Sequence, residues 1–336
     1  MAKLEHNTKI LVTGGAGFIG SHLVDELLIQ GYYVTVIDNL SNGKEVNLAS
    51  ALRSDRFEFF KGDILNKDDI NEIMKDVNYV FHLACLGVRH SLHSPFENHQ
   101  VNTEGTLNVL HAALVNNVNH VFYISTSEIY GRTDKFPINE FSATSPLTIY
   151  GSSKLAGEYY THSYRECFGL KSTVLRIFNN YGPRAHYEGD AGEVIPRSIV
   201  RILSGEPPIL FGDGSITRDF FYVEDTAKVL TSLISLSEQL NDETINIGTG
   251  IEITMKSLME KLLIFMGRTD LSITYLNDRP ADVPRLWVDN SKFQNLIKFK
   301  SDISFDLGLI ETIKYYENLI SKSDLISEVA DINWKV

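Results

Sequence analysis

Short apolar runs alternate with longer amphipathic stretches through the first half of the chain. Six of these runs predict strands, because they are short and rich in β-branched or aromatic residues: KILVT, YYVTVI, FEFFKG, YVFHLA, HVFYIS and STVLRI. The stretches between and after them predict helices over residues 17–30, 45–52, 67–75, 98–117 and 151–167. This alternation predicts an α/β protein with a doubly wound parallel sheet that helices cover on both faces.

The texture of the sequence changes beyond Arg176. Prolines and glycines become frequent between Gly182 and Gly214 and break the chain into short elements, as a smaller lobe that covers a substrate requires. We therefore predict a first domain over residues 1–178 and a smaller lobe over residues 179–336. A further apolar run at Thr244–Ile247 predicts one more strand, and we expect the segment near 220–250 to return to the first domain.

A glycine-rich turn links the first predicted strand to the first helix. Gly14, Gly17 and Gly20 allow a sharp turn, a close backbone approach to a ligand and tight packing of the helix on the strand. The free N–H groups at the start of that helix favour a pyrophosphate. Asp38 ends the second strand about 20 residues further on, where a carboxylate can accept hydrogen bonds from both ribose hydroxyls. Because this carboxylate repels a 2′-phosphate, the sequence predicts NAD rather than NADP.

Other informative residues follow the later strands, because ligands of such sheets bind beyond the carboxyl ends of the strands. Asp63 follows the third strand and is placed to contact the adenine amino group, with a purely structural place before a helix as the alternative. The small residues around Ala84 follow the fourth strand and let the cofactor ribose pass. His82 beside them is as compatible with a core position as with a functional one.

The fifth strand and the helix after it carry the candidate catalytic residues. Thr126 lies at the end of the strand, and Tyr150 and Lys154 are four residues apart, on one face of the following helix. The Lys154 ammonium can lower the pKa of the Tyr150 phenol and hold a nicotinamide ribose. We expect Tyr150 to take a proton from a substrate hydroxyl that Thr126 also contacts, while a hydride leaves the same carbon for NAD.

Composition disfavours several other classes of ligand. The net charge of −12 disfavours nucleic acid and anionic membranes as partners. No apolar run reaches the roughly 18 residues that a membrane helix needs, and no residues have metal-ligand spacing, so we predict no metal site. Cys85 and Cys167 lie in apolar segments, which predicts buried free thiols and a cytoplasmic location. We expect no signal peptide, because MAKLEHNTKI leads directly into the first strand.

These motifs together resemble the extended short-chain dehydrogenase/reductase family, whose NAD-dependent nucleotide-sugar epimerases, dehydratases and decarboxylases have a Rossmann-like fold. The resemblance covers nearly the whole chain and rests on TGGAGFIGSH, Gly62-Asp63-Ile64, STSEIYG, YGSSK, RIFNNYGPR, GEVIPRSI, FGDGSITRDFFYVED, NIGTG and RPADVPRLWVD. It implies that residues 1–178 bind NAD. The residues implied to contact NAD are Gly14, Gly17, Phe18, Ile19, Gly20, Asp38, Asn39, Ser41, Gly43, Asp63, Ile64, Leu83, Ala84, Asn102, Ser125, Tyr150 and Lys154.

The same resemblance implies that residues 179–336 bind a nucleotide-linked sugar. Arg218 and Arg279 are expected on the diphosphate, because the guanidinium fork pairs with two phosphate oxygens. The residues implied to contact the substrate are Arg89, Asn179, Val194, Ile195, Arg218, Arg279 and Asp282. The resemblance also implies a homodimer formed by the helices near 98–117 and 151–167.

Three reactions of the resembling enzymes remain open, and all of them oxidise C4 of the sugar to a ketone. A 4,6-dehydratase then needs a carboxylate near C5, and Ser127-Glu128 resembles the Ser-Glu pair of the GDP-mannose type. A 4-epimerase needs no acid or base near C5, and related epimerases commonly carry small residues there. A uronic-acid decarboxylase also shows Thr-Ser-Glu and needs a group for the sugar carboxylate, for which Arg89 and Arg184 are candidates.

We favour the dehydratase, then the epimerase, then the decarboxylase. The loop ACLGVRHSLHSP is closer to the epimerase and dehydratase style than to the proline-rich loop of decarboxylases. The candidate catalytic residues are therefore Thr126, Ser127, Glu128, Tyr150 and Lys154. If Glu128 only caps a backbone turn, the epimerase moves ahead. A catalytically inactive relative that senses NAD is the non-enzymatic alternative, which the presence of both Tyr150 and Lys154 disfavours.

Overall fold

Seven parallel strands form the central sheet of the computed structural model, which describes residues 7–279, 281–301 and 303–333. The outermost residues of the two predicted domains, 1–6 and 334–336, lie outside the described residues. The strands are β1 (Lys9–Thr13), β2 (Tyr33–Asp38), β3 (Phe57–Lys61), β4 (Tyr79–His82), β5 (His120–Thr126), β6 (Ser172–Ile177), β7 (Asn179–Tyr181), β8 (Ile209–Phe211), β9 (Thr217–Arg218), β10 (Phe220–Tyr222), β11 (Thr244–Ile247), β12 (Ile253–Thr254), β13 (Thr274–Leu276) and β14 (Arg285–Leu286).

The helices are α1 (Phe18–Ile29), α2 (Lys67–Ile73), α3 (His90–His93), α4 (Pro95–His99), α5 (Gly105–Val115), α6 (Ile149–Phe168), α7 (Val194–Leu203), α8 (Val223–Leu233), α9 (Met255–Phe265), α10 (Ser291–Ile297) and α11 (Phe305–Ile320). Short 3-10 turns lie at Glu45–Leu48, Ala51–Arg53, Ser127–Tyr130, Ile234–Leu236 and Ile326–Glu328, and a π turn lies at Gln100–Glu104.

The strands of the central sheet follow the order β11-β6-β5-β4-β1-β2-β3. The register places Val12 of β1 beside Val36 of β2 and Phe81 of β4, and all three side chains are fully buried. The chain moves from β1 toward β2 on one side and later returns to β4 on the other. The strand order therefore reverses at β1, and the crevice beyond its carboxyl end is the expected ligand site. The predicted doubly wound parallel sheet is confirmed.

The second half of the chain contributes to the sheet as well as to a smaller lobe. β11 pairs in parallel with β6, so that Ile247 lies beside Ile177, and α8 packs against α1. A second core joins α7, α9 and α11 through Ile199, Leu258 and Leu309, which are fully buried. The smaller lobe is therefore interleaved with the sheet, as the sequence predicts.

Two predicted helices differ from the structure. Residues 45–52 form two 3-10 turns, because the buried Asn47 amide donates to the Ala16 carbonyl at 2.9 Å and ties the segment to the glycine turn. Residues 98–117 are helical but are divided by the π turn around Asn102. The Asn102 amide donates to the Leu86 carbonyl at 3.0 Å, which couples the π turn to the loop after β4.

The two cysteines also differ in part from expectation. Both thiols are free, as predicted, but Cys167 is exposed and Cys85 is only half-buried. Cys167 lies in the last turn of α6, beside the exposed Phe168, so the apolar segment around it ends at the surface.

Candidate functional site

A cavity of about 670 Å³ opens at the carboxyl edge of the central sheet, between the sheet and the smaller lobe. The predicted cofactor-contacting residues that line it are Gly14, Gly17, Phe18, Ile19, Gly20, Asp38, Asn39, Ser41, Gly43, Asp63, Ile64, Leu83, Ala84, Ser125, Tyr150 and Lys154. Thr126, Ser127 and Glu128 also line it, as do Arg89, Asn179, Val194, Arg218, Arg279 and Asp282. The structure thus brings most of the predicted residues together around one space.

The glycine turn brings the backbone close to the loop after β4. Gly14 has φ +71°, and a Cβ atom there would lie 2.8 Å from both the N and the Cα of Ala84. α1 begins directly after Gly17, and no side chain caps its N-terminus. Because the first N–H groups of a helix have no acceptor within it, the amides at the start of α1 are available to an anion in the cavity.

Asp38, which is predicted to contact a ribose, lies on the cavity wall. Its carboxylate accepts hydrogen bonds from the backbone N–H groups of Ala16 at 2.9 Å and Leu40 at 2.8 Å. Burial raises the pKa of Asp38, and these two N–H groups oppose the shift. The carboxylate is held in one orientation with acceptor capacity left, since an ionised carboxylate has about four lone-pair sites. With the uncapped start of α1 and the close-approach glycines, this donor and acceptor set fits NAD.

Asp63 and His82 lie near this cofactor region in different roles. The Asp63 carboxylate accepts from Leu65 N at 2.8 Å and from the Asn39 side-chain amide at 3.0 Å, on the cavity wall. His82 is buried, and its ring nitrogens contact the hydroxyls of Thr13 at 2.7 Å and Thr106 at 3.0 Å. Burial and the nearby Lys154 lower the pKa of His82 to about 3, so His82 is a neutral core residue.

The first two turns of α6 place Tyr150 and Lys154 on the cavity wall. The Thr148 hydroxyl caps this helix by accepting from Gly151 N at 3.0 Å. Lys154 is almost fully buried, and its Nζ lies 4.3 Å from the centre of the Tyr123 ring. Burial lowers the pKa of the Lys154 ammonium, and the neighbouring Glu158 carboxylate opposes the shift.

The electrostatic effect on Tyr150 differs from expectation. The sequence predicts that Lys154 lowers the pKa of the phenol. In the structure the pKa of Tyr150 is raised well above its usual value, because burial and the neighbouring Cys85 outweigh the hydrogen bond of the Thr126 hydroxyl. The phenol is therefore protonated in this state of the protein, and Thr126 is the neighbour that favours its ionisation.

Glu128 projects into the cavity from the 3-10 turn after β5. Its backbone N–H donates to the Thr126 hydroxyl at 3.2 Å, so the cap of this turn is Thr126. Among the described residues, none donates a hydrogen bond to the Glu128 carboxylate. Burial raises the pKa of Glu128, and Arg218 opposes the shift. The alternative that Glu128 merely caps a turn is not what the structure shows, and its carboxylate is available to exchange a proton.

Three arginines surround the far end of the cavity. Arg218 donates to the Asp282 carboxylate at 2.7 Å and to the Val283 carbonyl at 2.7 Å. Burial lowers the pKa of Arg279 to about 9, Asp282 opposes the shift, and the guanidinium lies 4.5 Å from the centre of the Phe211 ring. Arg89 donates to the backbone carbonyls of Asp190 at 2.5 Å and Ala191 at 2.8 Å. This concentration of guanidinium groups suits a diphosphate.

Two predicted contact residues lie behind the cavity wall instead. The Asn102 side chain accepts a hydrogen bond from Leu86 N, in the loop after β4, at 2.8 Å. It also donates to the hydroxyl of Ser153 in α6 at 3.0 Å. Ile195 is buried in the core of the smaller lobe. Arg184 pairs with Asp25 of α1 at 2.7 Å and does not line the cavity, so it is not placed to bind a sugar carboxylate.

Sequence reasoning missed several polar residues of the cavity wall, among them Glu193 and Asn180. Glu193 precedes α7, and Asn180 lies in β7; both line the cavity. Both lie in segments on which the family resemblance rests, GEVIPRSI and RIFNNYGPR. Neither belongs to a glycine turn, a capping pattern or a Tyr-Lys pair, so the residue pattern does not single out either side chain. Among the described residues, no cluster of histidine, cysteine, aspartate and glutamate side chains is arranged to hold a metal. The described helices also include none with the length and apolarity to cross a membrane.

Comparisons with known proteins agree with this geometry. A family model described as the NAD dependent epimerase/dehydratase family matches residues 10–248. A putative UDP-glucose 4-epimerase of Methanocaldococcus jannaschii is 36% identical over 312 residues, which cover 92% of this chain and 98% of the relative. A UDP-N-acetyl-alpha-D-glucosaminuronate decarboxylase of Bacillus cytotoxicus is 33% identical over 322 residues, 93% of this chain and 98% of the relative.

The chain is also similar to a solved structure of a 4,6-dehydratase. DesIV, a dTDP-glucose 4,6-dehydratase of Streptomyces venezuelae solved with NAD and TYD bound, superimposes with a TM-score of 0.89 and 29% identity. The match covers 95% of this chain and 100% of the DesIV chain.

Proposed function

Because the chain belongs to the NAD-dependent epimerase/dehydratase family, and is therefore an NAD-dependent enzyme, we propose that it is a nucleotide-hexose 4,6-dehydratase. The observation that carries this proposal is the Glu128 carboxylate, which lines the cavity and accepts no hydrogen bond from any described residue. A group in this state can remove a proton from carbon and deliver it elsewhere. Epimerisation at C4 has no use for such a base.

The chain's own residues divide the work at C4. Tyr150 first loses its own proton to solvent, which the hydrogen bond of Thr126 favours. As the phenolate, it then takes the proton of the C4 hydroxyl, and Thr126 shares the hydrogen bond to that hydroxyl. The amides at the start of α1, Asp38 and Lys154 hold the cofactor. Bound NAD would supply a hydride acceptor for C4 and a hydride donor for C6. The product of the first stage is a 4-ketosugar, in which the ketone makes the C5 proton acidic.

Glu128 carries the second stage. Its carboxylate removes the C5 proton, and the raised pKa of Glu128 makes it a stronger base than an exposed carboxylate. That proton joins the C6 hydroxyl, which leaves as water. A solvent proton then restores C5–H, so the net change in the sugar is loss of one water with no net oxidation. Arg218 and Arg279 hold the diphosphate during both stages.

A Glu128→Gln variant tests this assignment. Glutamine has nearly the same shape and cannot take a proton from C5. The variant is expected to oxidise C4, visible as reduced-cofactor absorbance on adding a nucleotide hexose, but to lose water release by at least about 100-fold. Glu260→Gln on the exposed face of α9 is the control for loss of one negative charge. Undiminished water release by Glu128→Gln would contradict the assignment.

A 4-epimerase is the second candidate function. The observation in its favour is the 36% identity to the putative UDP-glucose 4-epimerase of Methanocaldococcus jannaschii, above the 29% identity to DesIV. In that reaction Glu128 would take no part in catalysis, and the Glu128→Gln variant would keep full turnover.

We also propose, on the family resemblance, that the protein is a cytoplasmic homodimer. Light scattering of the purified protein measures its mass and so tests the dimer.

A further inference from the structure

Glu193 is fixed in position at the start of α7. Its backbone N–H donates to the His186 carbonyl at 2.7 Å, and its carbonyl accepts from Arg197 N at 3.1 Å. The backbone of the preceding Gly192 is also fixed, because the Asn333 side-chain amide donates to the Gly192 carbonyl at 2.9 Å. The segment that carries Glu193 is therefore anchored on both sides, and its side chain lines the cavity.

The Glu193 carboxylate has no hydrogen-bond donor among the described residues. Burial raises the pKa of Glu193, and Arg89 is the main group that opposes the shift. Arg89 does not neutralise it outright, because two of its N–H groups already donate to the carbonyls of Asp190 and Ala191. Glu193 is half-buried on the cavity wall, so its carboxylate is available to a hydrogen-bond donor on a ligand in the cavity.

Glu193 lies near the reacting end of the cavity. Both Glu128 and Glu193 are close enough to Tyr150 to raise the pKa of its phenol. Two further acceptors of the same wall are also unmatched: the side-chain oxygens of Asn179 and Asn180 are buried and have no partner. This part of the cavity wall therefore carries several hydrogen-bond acceptors without donors in the described part of the chain. The two asparagine oxygens show this independently of Glu193.

We propose that Glu193 is a specificity-determining residue that accepts a hydrogen bond from a hydroxyl or ammonium group of the sugar and excludes nucleotide-linked uronic acids. This inference rests on the proposed function, since it presumes that the cavity holds a nucleotide sugar. The substrate class is then a nucleotide hexose or amino hexose whose C6 carries a hydroxyl, which is also the group that a 4,6-dehydratase must expel.

The physical reason is charge. A hexose hydroxyl or ammonium supplies the donor that Glu193 lacks. A uronate brings a third carboxylate beside Glu128 and Glu193 in a site of low dielectric constant, where like charges repel strongly. Arg89 is the cation expected to receive a uronate, but two of its N–H groups donate to the backbone carbonyls of Asp190 and Ala191.

The test measures equilibrium binding rather than turnover. Dissociation constants of UDP-glucose and UDP-glucuronate, and of the same pair linked to dTDP, are measured calorimetrically on the NAD-loaded enzyme. The wild-type protein is expected to bind the hexose at least about tenfold more tightly than the uronate. Glu193→Gln keeps the shape and removes the charge. It is expected to lower the ratio of the uronate to the hexose dissociation constant about tenfold, mainly because the uronate binds more tightly. Glu260→Gln, which removes an exposed charge on α9, is expected to leave the ratio unchanged.

Two results would overturn the inference. Equal or tighter binding of the uronate by the wild type would mean that the cavity accepts a third carboxylate. An unchanged ratio in Glu193→Gln, with the wild type preferring the hexose, would place the discrimination elsewhere. Failure of every nucleotide sugar to bind would instead contradict the proposed function, so the two failures are distinguishable.

Discussion

Replacing Gly14 by alanine tests the close approach of backbone that creates the cofactor end of the cavity. The new Cβ would lie 2.8 Å from the N and Cα of Ala84, which are backbone atoms that cannot rotate away. Ordinary carbon contacts are about 3.5 Å, so the turn and the loop after β4 must separate by about 0.7 Å. Such overpacking costs about 1–3 kcal/mol. The left-handed φ of +71° adds about 1–2 kcal/mol for alanine, for a total of about 2–5 kcal/mol.

Gly169→Ala provides a matched control for that total. Gly169 has φ +74° at the end of α6, and a Cβ there meets nothing within 4 Å. It isolates the backbone cost of about 1–2 kcal/mol from the collision. Urea unfolding gives both free energies, and calorimetry gives NAD affinity, which should fall at least about tenfold in Gly14→Ala only. A Gly14→Ala protein as stable as Gly169→Ala, with normal NAD affinity, would refute the reasoning.

Three further predictions concern chemistry, stability and pH. Tyr150→Phe should bind substrate with little change but lose turnover by about 100- to 10,000-fold, measured by single-turnover formation of reduced cofactor; retained turnover would remove Tyr150 as the base. Glu158→Gln should lower the free energy of unfolding by about 3–5 kcal/mol in urea titrations, because it breaks a buried pair with Arg176 at 2.8 Å; a loss under about 1 kcal/mol would contradict this. The free energy of unfolding should also fall as pH drops from about 6.5 toward 4. Over this range the histidines of the unfolded chain bind protons, whereas the buried histidines of the folded protein stay neutral. Thermal melting across that range checks it, and a flat profile would contradict the lowered pKa values of about 4 for His22, about 3 for His82 and about 4 for His120.

The sheet and its glycine turn were predictable because each depends on local pattern. Apolar runs such as that of β1 are buried on both faces, so their composition alone marks them as strands. The carboxyl-edge rule then places Asp38 and Glu128 at the same edge of the sheet without any knowledge of contacts. Residues 45–52 broke the pattern because Asn47 bonds to the glycine turn, a contact that sequence periodicity does not report.

The placements that the sequence does not indicate depend on tertiary contacts. Asn102 was expected at the cofactor but braces the loop after β4, and Arg184 was considered for the sugar but pairs with Asp25. Glu193 lies in the motif GEVIPRSI, but the sequence does not single it out, because its position near Tyr150 depends on the loop that carries it. Likewise, the upward shift in the pKa of Tyr150 reflects burial, which the spacing of Tyr150 and Lys154 cannot convey.

The most direct test of the account is mass spectrometry of the products formed in deuterated water from UDP-, GDP-, CDP- and dTDP-linked hexoses, N-acetylhexosamines and uronic acids. The account predicts that a nucleotide hexose or hexosamine loses one water and gains one deuterium at C5, with no net consumption of NAD. An unchanged mass with a shifted retention time would establish a 4-epimerase. Loss of carbon dioxide from a uronic acid would contradict both the role of Glu128 and the exclusion assigned to Glu193.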